Sequence, residues 1–279
     1  MLKIGSYNDL VVAREVDFGL YLVSGDAEVL LPAKYVPEGT RVGDPLKVFV
    51  YTDSEDRPVA TTLTPKGVVG EFAYLKVTDV ADFGAFMDWG LEKDLLVPNS
   101  QQQVKMKAGQ RYVVKVCLDA GTQRVYASSK VGVLCEEAAP GTLAAGQQVD
   151  LLVYGVSKLG VMAVVDHRYA GLIYRDEVYQ LLRVGDRRQG YVNRVRDDGK
   201  IDVTLKKPGP ASIGGSGEVI MSTLQRAGGA IACHDKSPPD LIRQTFAMSK
   251  KEFKRAIGAL YKSGRIEISD KGIRLKTSV

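Results

Sequence analysis

Short alternating apolar and polar runs, broken by glycine and charged turns, fill the chain from its start to about residue 208. Residues 10–23, 72–87 and 151–165 each hold two such runs, rich in β-branched and aromatic side chains, and predict paired strands. Residues 48–51, 113–118 and 190–195 predict a further strand each, and 58–61, 125–128 and 201–204 another. Asp197-Asp198-Gly199 predicts a tight hairpin. Pro208-Gly209-Pro210 and the Gly-Gly-Ser-Gly run at 214–217 read as a linker, after which the apolar spacing changes to a helical period. Residues 218–227 predict one helix stopped by Gly228-Gly229. A second runs from Pro238-Pro239 to about Phe246 with Ser237 as its cap. A third starts at the capping box Ser249–Glu252 and ends near Ser263-Gly264, and two short strands about Ser269–Gly272 follow it.

The strand pattern is a threefold repeat. Val16-Asp17-Phe18-Gly19-Leu20-Tyr21 returns as Ala81-Asp82-Phe83-Gly84-Ala85-Phe86, and Ser157-Lys158-Leu159-Gly160-Val161-Met162 keeps the glycine and the apolar positions. Leu30-Leu31-Pro32 matches Leu96-Val97-Pro98 and Leu172-Ile173-Tyr174. Arg41-Val42-Gly43-Asp44 matches Lys107-Ala108-Gly109-Gln110 and Arg183-Val184-Gly185-Asp186. Five strands in roughly 65 residues point to a small Greek-key barrel rather than a sandwich.

Asp82-Phe83-Gly84-Ala85-Phe86, followed by Leu95-Leu96-Val97-Pro98, Ala108-Gly109-Gln110 and Arg124-Val125-Tyr126-Ala127-Ser128, resembles the S1-type RNA-binding motif of the OB-fold, closest in the second copy. Three helices and a hairpin over 218–279 resemble a winged helix. Three S1-like units followed by a winged helix are similar to the bacterial conserved virulence factor B family. The fold class that follows is mainly β: three tandem five-stranded OB-fold barrels at 1–65, 66–139 and 140–208, a linker at 209–217, and an α+β winged-helix domain at 218–279.

The resemblance implies a non-enzymatic, cytoplasmic RNA-binding regulator without a cofactor. It places its RNA-facing residues at Phe83, Phe86, Asp119 and Arg124 in the second copy, with Pro98 where the motif has histidine. In the first copy they fall at Phe18 and Tyr21 with Pro32, Asp56 and Arg57. In the third, Leu159 and Met162 replace the aromatics, and Tyr174, Asp197 and Lys200 follow. Arg175, Arg194 and Arg196 add a phosphate-tracking edge there. Aromatic faces stack unpaired bases while nearby cations follow the phosphates, which is why single-stranded RNA is the expected partner. Trp89 lies just beyond the second pair and is read with it.

Charge sharpens where that binding belongs. The net +5 of the 279 residues is uneven. Residues 1–65 carry 6 basic and 10 acidic groups, 66–139 carry 9 of each, 140–216 carry 11 and 8, and 217–279 carry 12 and 6. An acidic first copy repels phosphate, so its ring side chains are expected to fill a barrel core and the unit to be structural or partner-facing. In the third helix Lys250, Lys251, Lys254 and Arg255 lie opposite the apolar face of Phe253, Ala256, Ile257 and Leu260. That face suits RNA and leaves duplex DNA open as an alternative, the chain then being a transcription regulator. A scaffold on ribosome or RNA polymerase is the other alternative.

No run of about 20 apolar residues and no secretory leader is visible, so no membrane association is expected. Cys117, Cys135 and Cys233 lack metal-ligand spacing. His167 and His234 stand apart from any nucleophile and read as turn residues. The Asp-Phe-Gly tripeptides sit in strands, without the Gly-rich and catalytic loops of a kinase.

Overall fold

A bulge one residue wide in the long first strand of each repeat bends that strand so that it can pair along two directions. The computed structural model describes residues 2–139, 141–178, 180–206 and 211–276, with backbone alone for 211–215. Strands β1 (Ser6–Val16), β2 (Gly19–Ser24), β3 (Ala27–Pro32), β4 (Pro45–Thr52) and β5 (Pro58–Thr61) close a barrel in the order β1-β2-β3-β5-β4. Strands β6 (Phe72–Ala81), β7 (Gly84–Asp88), β8 (Leu95–Pro98), β9 (Arg111–Leu118) and β10 (Val125–Ser128) repeat the topology, and the short α1 (Val131–Leu134) follows. Strands β11 (Gln148–Val156), β12 (Gly160–Val165), β13 (Tyr169–Tyr174), β14 (Arg187–Val195) and β15 (Ile201–Thr204) close the third barrel. The register slips between Val12 and Arg14, between Val77 and Asp79, and between Val153 and Gly155, at the same place in each copy.

Parallel bridges seal the first barrel at Leu30–Val59 and the third at Gly171–Ile201. The second is nearly closed. Among the described residues β8 and β10 form no ladder, and their seam is held by Ser129 N–H on the Gln101 carbonyl (3.0 Å) and Gln103 N–H on Ser129 Oγ (2.8 Å).

Both marker glycines of the repeat make the barrel. A Cβ on Gly84 would stand 2.6 Å from the Val97 carbonyl oxygen, and one on Gly19 or Gly160 would overlap the carbonyls of Leu31 and Ile173. That close approach lets β2 cross β3, and the residue before each glycine accepts one backbone bond from just beyond β3. These run from Ala33, Asn99 and Arg175 to Phe18, Phe83 and Leu159 (2.9, 3.0 and 3.0 Å). The second glycine, at 43, 109 and 185, has φ of 96°, 80° and 93° and donates to the carbonyl of Val12, Val77 or Val153 at the bulge.

The chain divides into two compact units, Met1–Cys135 and Glu136–Val279. In the first, Phe49 and Tyr51 of β4 pack edge-on against Trp89 beyond β7, with centroids 5.7 and 6.2 Å apart, joining the first two barrels through a shared apolar core. The Trp89 indole N–H donates to the Lys93 carbonyl at 2.6 Å. Burial pushes the Tyr51 phenol up to about 12.

In the second unit the third barrel leads into α2 (Ala211–Arg226), β16 (Ala230–Ile231), α3 (Pro239–Phe246), α4 (Lys250–Lys262), β17 (Ile266–Ser269) and β18 (Gly272–Leu275), a winged helix with sheet order β16-β18-β17. The stretch read as a linker differs: α2 begins at Ala211 and takes in 211–217, while 207–210 lie outside the described residues. The two-residue strand β16 went unread because two residues carry no periodicity. Ser237 does not cap α3; its buried hydroxyl accepts the His234 N–H at 2.9 Å and closes the preceding turn. Ser249 caps α4 by accepting the Glu252 N–H at 3.1 Å. The Glu252 carboxylate completes no reciprocal box; it takes Lys206 Nζ (2.7 Å) beyond β15 and the Ser216 hydroxyl (2.5 Å), fastening the winged helix to the third barrel.

Candidate nucleic-acid interface

Pleating decides which repeat residues reach solvent. Along β7, Ala85 and Met87 point into the second core, so Phe86 between them points out. Phe83 stands in the β6–β7 turn, 61% exposed, with its ring edge-on to Phe86 at 5.8 Å and 90°. Phe86 borders a groove of about 550 Å³ with Leu96 and Pro98 of β8 and Tyr126 of β10. Pro98, in the motif's histidine position, adds apolar surface and no donor to this wall.

The ion pairs of the groove are already spoken for. Asp119 is a turn-former: Thr122 N–H (2.7 Å) and hydroxyl (2.8 Å) bond its Oδ1. Those bonds, the backbone one first, hold its carboxyl below the usual aspartate range. Arg124 pairs with Asp56 from the β4–β5 hairpin of the first barrel, so that hairpin forms one end of the groove. Lys93 donates to the carbonyls of Thr52 (3.1 Å) and Asp53 (2.6 Å), and burial pulls its ammonium below the usual lysine range. The carboxylate wall from Asp56 was missed in the sequence, since it depends on how two barrels meet. Trp89 is absent from this surface: it is buried between the barrels, because the rings of Phe49 and Tyr51 cover it.

The first barrel departs from expectation. Phe18 is 57% exposed and Tyr21 half-buried, at 6.4 Å and 79°, an arrangement close to that of the second pair. They do not fill the core, because Leu20 and Leu22 take the inward positions on β2. One feature separates the two platforms. Arg14, opposite Tyr21 in the β1–β2 register, lies 3.7 Å over its ring and is held by Glu28 at 3.0 and 3.2 Å. In the second barrel the residue opposite Phe86 is Asp79, which places no guanidinium there. Arg57 is tied to Asp53 and Glu55.

In the third barrel Leu159 is 64% exposed at the position of Phe83, and Met162 is half-buried. Arg194 and Arg196 both bond the buried carboxylate of Asp202, each at 2.6 Å, and the Arg196 guanidinium lies 5.8 Å from the Tyr174 ring centre. Asp202 occupies the strand position of Tyr126 in the second barrel; a charged residue inside an otherwise apolar strand was its signal in the sequence. Arg175 is exposed in the turn after β13, and Lys200 pairs with Asp198 at 3.3 Å. His167 occupies the β12–β13 turn with φ of 56°. The His234 ring meets the Lys236 N–H at 3.3 Å.

On α4, Lys250 reaches the Lys236 carbonyl (3.2 Å). Lys251, Lys254 and Arg255 are exposed, and among the described residues their side chains pair with no carboxylate. Among the described residues no helix is long and apolar enough to cross a membrane.

Residues 218–275 match the family model of the CvfB-like winged helix domain, and residues 4–63 match that of the S1 domain. The S1 match thus falls on the first copy, although the motif reads closest in the second. The chain is 29% identical over 275 residues to YitL of Bacillus subtilis, covering 95% of this chain and 91% of that one. It is 25% identical to conserved virulence factor B of Staphylococcus epidermidis, covering 83% and 82%. Among solved structures, a multidomain protein with nucleic acid binding domains from Streptococcus pneumoniae aligns over 98% of both chains at 25% identity and a TM-score of 0.43. With an S1 domain matched at its start, a CvfB-like winged helix matched at its end and such relatives along most of its length, the chain is similar throughout to the conserved virulence factor B proteins.

Proposed function

We propose that the protein is a non-enzymatic, cytoplasmic regulator that holds single-stranded RNA, using the second barrel as its stacking platform and the cations of α4 as a second contact. The observation that carries this reading is the outward-facing Phe83–Phe86 pair, with Phe86 bordering a groove that also presents Leu96, Pro98 and Tyr126. Unpaired bases offer π-faces to such rings, whereas a duplex keeps its bases stacked inside. The groove's cations are already taken, Arg124 by Asp56 and Lys93 by the Thr52 and Asp53 carbonyls, which leaves the apolar side chains of Phe86, Leu96, Pro98 and Tyr126 to meet bases while the backbone runs outside.

Replacing both phenylalanines by alanine should weaken binding of a labelled single-stranded RNA by about 2–6 kcal/mol if each stacks one base. An unchanged affinity in a fluorescence anisotropy titration would refute the platform. The unpaired cations of α4 support a second reading, a duplex-DNA regulator, because the corresponding helix of winged-helix relatives enters the major groove. In that case duplex DNA outcompetes the RNA, and loss of Lys250, Lys251 and Lys254 abolishes binding while the phenylalanine changes leave it intact. A scaffold role predicts binding that ignores salt.

A further inference from the structure

Gly258 stands in the third turn of α4 with no role in the fold. A Cβ built there meets nothing within 4 Å, and its φ is helical rather than left-handed. Glycine is the poorest helix former after proline, so on a merely solvated face almost any other residue would serve α4 better. What surrounds it is specific. The four residues three and four positions away, its neighbours on the helix surface, are Lys254, Arg255, Tyr261 and Lys262. All four are exposed, Tyr261 at 58%, and among the described residues none of their side chains makes an ion pair or hydrogen bond. The apolar face of Phe253, Ala256, Ile257 and Leu260 lies on the opposite side, committed to the core. The α4 surface is therefore a bare patch of backbone ringed by three cations and one aromatic.

We propose that Gly258 is the seat of a single-stranded RNA segment on α4. The missing side chain lets the ribose–phosphate chain lie against the helix backbone; Lys254, Arg255 and Lys262 neutralise the phosphates on either side; Tyr261 stacks one unpaired base. Glycine's use for close approach of a ligand to backbone and the pairing of cations with an aromatic platform are the general physics of such a site. Tyr261 selects a single strand over a duplex, whose bases present no free face. This inference rests on the RNA-binding reading above and gives its α4 contact a defined seat, with a bare backbone and a stacking ring beside the cations.

The test uses the full chain and a labelled single-stranded RNA. Gly258→Ala should slow amide exchange within α4 by about fivefold while weakening RNA binding by about fivefold or more, two effects of opposite sign that no general loss of structure produces. Tyr261→Ala should weaken binding by about tenfold or more and Tyr261→Phe should keep it, since the ring and not the hydroxyl stacks. Wild-type affinity in Gly258→Ala or Tyr261→Ala overturns the seat, as does an effect on duplex DNA that spares the single strand. Phe83→Ala with Phe86→Ala separates the two readings. Loss of binding there with none in Gly258→Ala removes the seat alone, whereas a wild-type chain that fails to retain RNA removes both.

Discussion

An alanine methyl at Gly84 would sit 2.6 Å from the Val97 carbonyl oxygen and 2.9 Å from a methyl of Leu96, with backbone rather than a flexible tip as its nearest obstacle. The repeat glycines are thus places where two strands touch, and their cost is steric. Gly84→Ala should destabilise the second barrel by about 1–3 kcal/mol, as overpacking of a tight contact does, read as a lower urea midpoint with Trp89 fluorescence as reporter. Residue chemistry also separates the platforms that the repeat made look alike. Tyr21 and Phe86 occupy equivalent outward positions, but Arg14 covers the first ring and is itself anchored by Glu28. A cation over a ring face takes the place a base would take.

Among the elements, β4 is the one that does two jobs. Val48 and Val50 face the core of the first barrel, while Phe49 and Tyr51 on the other face enter the core of the second. A strand buried on both faces couples two barrels that the repeat pattern presents as separate beads. Tyr51→Ala should cost about 3–5 kcal/mol, the range for deleting a large buried ring. Trp89, the single tryptophan of the chain, should report it by emission shifted to the red as water reaches the indole. Most element bounds were legible because strand alternation and helix caps are local signals: 72–87 became β6 and β7, and Ser249 capped α4. The start of α2 was not, because glycine-rich residues 211–217 have weak helix propensity. Glu252 holds Lys206 and Ser216 instead of closing a capping box for the same kind of reason, since its partners come from elsewhere in the chain.

On the scale of the whole molecule, charge and contacts divide the work. Among the described residues the basic surplus of 217–279 stays without a carboxylate partner at Lys251, Lys254 and Arg255, whereas Arg124, Arg194 and Arg196 are committed to Asp56 and Asp202. Phosphate contacts release counterions at about 0.7 per phosphate for single strands, so Lys254→Ala should flatten the slope of log affinity against log salt by about 0.7. Arg194→Ala should change it less, because its guanidinium already bonds a buried carboxylate; titrations at several salt concentrations compare the two. The amino-acid sequence by itself determined the three barrels and the winged helix, which follow from spacing within a few residues, through pleat, period and cap; that the rings of both the first and the second motif face outward was decided by the fold. Only the tertiary structure decided that Trp89 is a joint, that Arg14 covers Tyr21, that Asp56 walls the second groove and that Arg194 and Arg196 are bonded. Each of those pairs residues distant in the chain, and an ionic or aromatic side chain takes its role from whichever partner folding brings within reach.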